Sequence, residues 1–304
     1  MKKSILDEKH FYNEKTAFAY VESIVWKEGK NCPHCGGVEK LYEIKSRSAR
    51  IGLNKCGGCK KQFTVRIGTI FEDSHIPLHA WLQAIFLLAS SKKSISSHQL
   101  HRTLQITYKS AWFLSHRIRE VMKPSGEIKM MGGEGRIIEA DETYIGNKGK
   151  QAKGVCGWGH KEKVFSLVEC RGKVCSHHVQ LTNVKTLLPI LQNCMKQETT
   201  LMTDEARQYI KIDKEFKEHG VVVHSRKEYV QGSFHTNTIE RFFSIFKRGM
   251  KGAYQHCKNN HLQQYLYEFD FRYNAKNIDD SQRADNIILG VIGKRLTYRD
   301  SFTT

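Results

Sequence analysis

The chain has 304 residues and a net charge of +18, from 49 Lys and Arg against 31 Asp and Glu. Hydrophobic residues make up 39% and charged residues 26%, which supports folded cores and excludes wholesale disorder, while four prolines exclude collagen-like and proline-rich classes. The longest apolar stretch, Trp81 to Ala89, falls short of the ~20 residues a membrane helix needs, and Lys2 and Lys3 lead into Asp7 and Glu8 rather than an apolar segment. The expectation is a soluble, cytoplasmic protein with no membrane partner that meets a polyanion.

Residues 1–30 are expected to form an N-terminal helical segment. Next, Cys32-Pro-His-Cys35 is followed after twenty residues by Cys56-Gly-Gly-Cys59. Two C-x2-C knuckles at this separation bring four thiolates to one tetrahedral point with no open position, the pattern of a structural zinc ribbon over residues 31–73. Lys40 to Leu53 and Gln62 to Arg66 supply its short strands. So small a ribbon depends on its zinc to fold. The other five cysteines (Cys156, Cys170, Cys175, Cys194 and Cys257) are scattered; pairing of Cys170 with Cys175 across a turn is one reading, and partly buried side chains without a role are the expected one.

Residues 74–122 read as helical. Leu78, Trp81, Leu82, Ile85, Phe86 and Ala89 recur at helical spacing. Two further helices, Ser94 to Leu104 and Thr107 to Met122, meet at a short turn, with Thr107 placed to cap the second. A helix-turn-helix that lays Lys109, Arg117 and Arg119 against DNA fits this pattern, as does a plain helical hairpin with solvated charges.

Residues 123–136 hold one proline and four glycines without periodicity, which marks a linker. The expected second domain spans 137–290, with a tail at 291–304. Strands are expected at Arg136 to Ile145, Val164 to Cys170, Val174 to Leu181, Leu201 to Thr203 and Val221 to His224. Helices are expected at Val184 to Lys196, Glu205 to His219 and Thr236 to Met250. That mixed order suits a five-stranded α/β sheet covered by helices.

Three acids stand where this order can gather them: Asp141 in the first strand, Asp204 ending the fourth, and Glu240 on the last helix, with 35 residues between Asp204 and Glu240. Lys247 follows Glu240 by seven positions and shares its helix face. Glu139 alternates onto the face of Asp141, and Asn237 lies one turn before Glu240.

With these residues in this order, the chain resembles the ribonuclease-H-like DDE transposases and retroviral integrases, and above all bacterial insertion-sequence transposases with an N-terminal zinc ribbon. The matching segments are CPHCGG, KCGGCKKQFTVRIGTIFE, EADETYIG, TDEARQY, HTNTIERFFSIFKRG and HLQQYLYEFDFRYN. The implied fold class is α/β and multi-domain: a zinc ribbon and helix-turn-helix, then a ribonuclease-H-like mixed five-stranded sheet with helices. The implied activity is metal-dependent phosphodiester hydrolysis and strand transfer at the ends of a mobile element. The implied cofactors are one structural Zn²⁺ and two catalytic Mg²⁺, with Mn²⁺ as an alternative. Asp141 would bridge the two cations, Asp204 and Glu240 would each hold one, and Lys247 would hold a phosphate. In some relatives an asparagine replaces the third acid, so Asn237 competes with Glu240. Partners are double-stranded DNA, as element ends and target, and further copies of the chain in a synaptic complex of at least a dimer. A basic glycine-rich loop with Lys148, Lys150 and Lys153, and Lys247 with Arg248 on the last helix, extend the expected DNA contacts. A zinc-ribbon regulator with an inactive transposase domain, and a ribonuclease H or resolvase, are the competing readings.

Overall fold

The computed structural model describes residues 4–124, 130–146, 161–204, 216, 218–222, 237–255 and 257–297. The chain divides into two compact units: Met1–Lys123 with Asn277–Thr304, and Pro124–Lys276. The second unit therefore ends before the expected boundary at 290, and the C-terminal stretch packs with the first.

In the first unit, helix α1 (Glu14–Val25) is capped by Asn13, whose side chain accepts from the N–H of Thr16 at 3.0 Å. Strands β1 (Leu41–Glu43), β2 (Asn54–Cys56) and β3 (Gln62–Phe63) form an antiparallel ribbon. Gly57 donates to the carbonyl of Lys40 at 2.7 Å, and a Cβ there would meet that oxygen at 2.9 Å, so this knuckle position requires glycine. Helix α2 (Leu78–Ser90) buries the expected stripe of Leu78, Trp81, Leu82 and Ile85. Helices α3 (Ser97–Leu104) and α4 (Tyr108–Met122) follow. Gln105 takes a left-handed φ of 54° between them, and Thr107 caps α4 by accepting from the N–H of Ser110.

The N-terminus of α2 lacks a side-chain cap of its own because Pro77 precedes it. Glu14 of α1 supplies one, accepting from the N–H groups of Leu78 at 2.8 Å and His79 at 3.0 Å. Burial opposes the charge on Glu14, but these two donors, together with the His79 ring and the Arg66 guanidinium, hold the carboxyl below its ordinary value. Glu14→Ala is expected to lower stability by about 2 kcal/mol, since two helix-end donors lose their partner. A thermal or urea unfolding midpoint equal to wild type would contradict this.

In the second unit, β4 (Ile137–Ile145), β5 (Glu162–Glu169), β6 (Val174–Val179), β7 (Thr200–Asp204) and β8 (Glu218–Val222) form one sheet in the order β6-β5-β4-β7-β8. The β4–β5 and β5–β6 pairs are antiparallel, and the β4–β7 and β7–β8 pairs are parallel. This is the expected ribonuclease-H-like mixed sheet. Strand alternation divides its two faces. Ile138, Ala140, Phe165, Leu167 and Val179 pack with Leu187 and Leu191 of helix α5 (Val184–Cys194). Val164, Val168 and Val174 pack with Ile239, Phe242, Phe243 and Phe246 of helix α6 (Asn237–Gly252) and with Leu262, Leu266 and Phe269 of helix α7 (Asn259–Asn274).

Two boundaries differ from expectation. Residues 218 and 219, read as the end of a helix from their charged composition, belong to β8, because pairing of Glu218 with Thr200 and His219 with Leu201 outweighs local helical preference. The expected helix at 205–215 lies outside the described residues. Within the expected linker, Met131 is buried and exchanges backbone hydrogen bonds with Cys194 and Lys196, so the second unit begins inside that segment. Gly132 follows with φ 78°, where a Cβ would sit 2.2 Å from Thr199 Oγ1. In the first unit, helix α8 (Asp280–Leu289) packs on α2 and α1 through Ala284, Ile287 and Ile288.

The outer edge of β6 is satisfied by α7. Asp270 accepts from the backbone N–H of Ser176 and its hydroxyl, both at 2.7 Å. Asn274 both accepts from and donates to the backbone of Val174, and Gln263 bridges His178 N–H and the Ser176 carbonyl. Polar side chains of one helix thus occupy strand-edge groups otherwise open to pairing with another chain. Among the described residues, no helix is long and apolar enough to cross a membrane.

Candidate active site and metal centre

The knuckle cysteines converge as their spacing required. Cys32 and Cys59 Sγ are 3.6 Å apart, Cys35 and Cys56 Sγ are 3.7 Å apart, and all four lie within 4.8 Å of one another. A tetrahedral Zn–S length of about 2.3 Å implies sulfur–sulfur edges of about 3.8 Å, so the donor set fits zinc. The N–H of Cys59, against the effect of burial and together with that of Gly58, lowers the Cys56 thiol to about 7. Cys32, Cys56 and Phe63 are the buried core of this ribbon, with Trp26, Leu41 and Ile67 packed around them. With so few apolar residues, the metal is its main support. Cys32→Ser should remove one zinc equivalent and unfold the ribbon while leaving the second unit folded; zinc content unchanged by this substitution would overturn the assignment.

In the second unit, the ladder joining Ile137 to Thr200 and Glu139 to Met202, extended by one pleat, sets Asp141 level with Asp204 on adjacent parallel strands. Residues 139 and 141 of β4 alternate onto the face covered by α6. Glu139, 0% exposed, accepts from the N–H of Ile239 at 2.8 Å in the first turn of α6 and from the Cys170 thiol at 3.3 Å. An anionic acceptor suits a helix N-terminus. It anchors the start of α6, and so the neighbouring Glu240, one pleat from Asp141.

The acids respond to this proximity. Burial and then the charge of Asp204 push the Asp141 carboxyl up to about 7. The N–H of Glu142, donating to it at 2.7 Å, acts in the other direction, and the charges of Glu142 and Glu240 add to the rise. A divalent cation would stabilise carboxylates grouped in this way, and carboxylate oxygens suit Mg²⁺ or Mn²⁺. Among the described residues, the three do not draw all their ligand atoms within 4.8 Å of one another as the four cysteines do. Asn237 is the first residue of α6 and is exposed, as are Glu240, Lys247 and Arg248.

The remaining basic residues divide. Lys109 is exposed in the first turn of α4. Arg117 and Arg119, expected to contact DNA, are instead buried at 4% and 1% exposure. Arg117 donates to the Glu72 carbonyl at 2.6 Å and lies over the rings of Trp81 and Phe113, and its burial lowers its pKa to about 10. Arg119 donates to Ser115 Oγ at 3.0 Å. Both guanidinium groups are absorbed in the packing of the first unit because the inward face of α4 is wider than its apolar residues alone suggest. Lys148, Lys150 and Lys153 lie outside the described residues.

Comparison with known proteins agrees with this architecture. Residues 131–274 match the family model described as the ISXO2-like transposase domain, and residues 12–62 match that of the transposase zinc-ribbon domain. The two matches fall on the two folded elements just described, in the same order. The chain thus carries a segment similar to the ISXO2-like transposase domain behind one similar to the transposase zinc ribbon. It is also 27% identical over 284 residues to an uncharacterized protein in the transposable element ISH50 of Halobacterium salinarum, covering 87% of this chain and 92% of that protein. The match thus spans most of both chains.

Proposed function

We propose that this chain is a transposase that binds the ends of its own element as duplex DNA and catalyses divalent-cation-dependent phosphodiester hydrolysis and strand transfer. The observation that carries the reading is the electrostatic grouping of Asp141, Asp204 and Glu240 on one face of a ribonuclease-H-like sheet. Asp141, Asp204 and Glu240 would hold two Mg²⁺ ions, with Mn²⁺ able to substitute. When bound, such ions activate an attacking water or 3′-hydroxyl and stabilise the leaving 3′-oxygen of an in-line displacement. Asp141, whose carboxyl feels the charge of both other acids, would be the ligand shared by the two ions. Glu240 takes the third, supported by its coupling to Asp141, with Asn237 one turn earlier as its competitor. Lys247 lies two turns along α6 from Glu240, where it would hold a DNA phosphate beside the acids, and Arg248 and Lys109 would contribute further phosphate contacts.

The ribbon and the α3–α4 pair would engage the element ends, and the basic segment with Lys148, Lys150 and Lys153 would track phosphates. Bringing two ends together implies at least two copies of the chain in the reacting complex. The reading places the protein in the cytoplasm with the chromosome.

The test combines binding with cleavage. The full chain is mixed with duplex DNA bearing the terminal inverted repeats that flank its coding region, with Mg²⁺ or with chelator. Nicking at the repeat ends in Mg²⁺ alone is the expected result. Binding should fall with salt at a log–log slope of several units, about −0.9 for each neutralised phosphate. Tight binding without nicking in Mg²⁺ would favour a DNA-binding regulator, and a slope near zero would remove the phosphate-tracking role of the +18 charge.

A further inference from the structure

On the opposite face of the sheet from Asp141, β6 turns Cys175, His177 and Val179 toward α5, where Val179 joins the core formed with that helix. The last residue of α5, Cys194, meets the first two. Cys175 Sγ lies 3.3 Å from His177 Nε2, Cys194 Sγ lies 3.4 Å from the same nitrogen, and the two sulfurs are 4.0 Å apart. These three atoms and the four knuckle sulfurs are the two groups among the described residues whose ligand atoms all fall within 4.8 Å.

We propose that Cys175, His177 and Cys194 form a second metal site, a Cys2His set for zinc or a similar thiophilic divalent cation, separate from the ribbon and from the carboxylates. Zinc bonds of about 2.3 Å to sulfur and about 2.0–2.1 Å to nitrogen imply tetrahedral edges of about 3.8 Å between sulfurs and about 3.6 Å between sulfur and nitrogen. The observed triangle departs from these by a few tenths of an ångström. A disulfide would need only the two sulfurs, whereas here one imidazole nitrogen stands nearly equidistant from both. Cys194 is buried while Cys175 and His177 are half-buried, so three protein donors come from the packed side and water completes the shell from the other. Binding displaces the two thiol protons to solvent and leaves both sulfurs as thiolates. The site would fasten the end of α5 to one face of the edge strand β6, whose outer edge is held by Gln263, Asp270 and Asn274 of α7. A metal there closes the long connection from β6 through α5 and adds to the stability of the sheet.

The full-length chain, stripped of metal by chelation under reducing conditions, is titrated with Co²⁺ and followed through its thiolate-to-cobalt charge-transfer absorption, to which carboxylate-bound cobalt contributes nothing. The expected result is a sulfur-bound equivalent beyond that of the ribbon. Cys194→Ser and His177→Gln should each remove the additional equivalent and keep the ribbon's, and Cys32→Ser should do the reverse. Should Cys194→Ser disturb folding, as circular dichroism would show, the half-buried His177→Gln decides. Wild type saturating at the ribbon's equivalent alone overturns the proposal. So does a titration that His177→Gln leaves unchanged. Either result leaves Mg²⁺-dependent nicking by Asp141, Asp204 and Glu240 untouched, so the two readings fail separately.

Discussion

Alanine at Asp141, Asp204 or Glu240 is expected to abolish cleavage and strand transfer while leaving end binding intact or slightly tighter. Loss of one ligand misplaces the cations and leaves the departing oxygen without its stabilising charge, so rates should fall by roughly 10³-fold or more. Removing a carboxylate does not weaken attraction between a basic chain and DNA. The contrast between lost turnover and kept binding is therefore the signature, read by quantifying nicked product beside a gel-shift titration. Asn237→Ala serves as the comparison for the third ligand. If it eliminates turnover while Glu240→Ala does not, the third position belongs to the amide. Lys247→Ala should weaken end engagement and slow both steps only in part.

Glu139→Ala is expected to act on the same reaction from outside the cation shell. Its carboxylate is buried, and it receives the N–H of Ile239 and the thiol of Cys170. Truncation strands buried donors and should lower stability by about 2–3 kcal/mol. It also releases the start of α6 from β4, so Glu240 loses its placement relative to Asp141. A misplacement near 1 Å can lower turnover by ~10²-fold. Glu139→Gln keeps an acceptor of nearly the same shape and should restore much of both losses. A purely structural role predicts that Glu139→Ala, assayed well below its unfolding temperature, cleaves at the wild-type rate. A positioning role predicts a lower kcat with little change in KM.

The zinc ribbon was fully legible because each knuckle is local: Cys32 with Cys35 and Cys56 with Cys59 are fixed by tight turns, and the separation of the pairs allows one ribbon to join them. The strand positions of Asp141 and Asp204 and the helix position of Glu240 were legible because each lies within a locally patterned element. Glu139 was visible only as a residue on the face of Asp141. Its contact with Ile239 depends on how α6 meets β4, which no local pattern encodes. The same holds for Cys175, His177 and Cys194. The alternation Cys175-Ser176-His177 was present in the sequence, but its partner arrives from another element nineteen residues from Cys175. Arg117 and Arg119 were misread because charge type does not reveal which way a helix faces, and arginine is readily buried when its fork finds a carbonyl and its plane finds aromatic rings. The extent of β8 was missed because a glutamate-rich and lysine-rich stretch looks helical until a neighbouring parallel strand claims it.

The most direct measurement is strand transfer itself. Purified wild type and Asp141→Ala are given pre-cleaved element ends with a free 3′-hydroxyl and a target duplex in Mg²⁺, and joined product is quantified at equal end occupancy. Joining by wild type, its loss in chelator and its absence in Asp141→Ala is the predicted result. Joining by Asp141→Ala at the wild-type rate would contradict catalysis at this carboxylate centre.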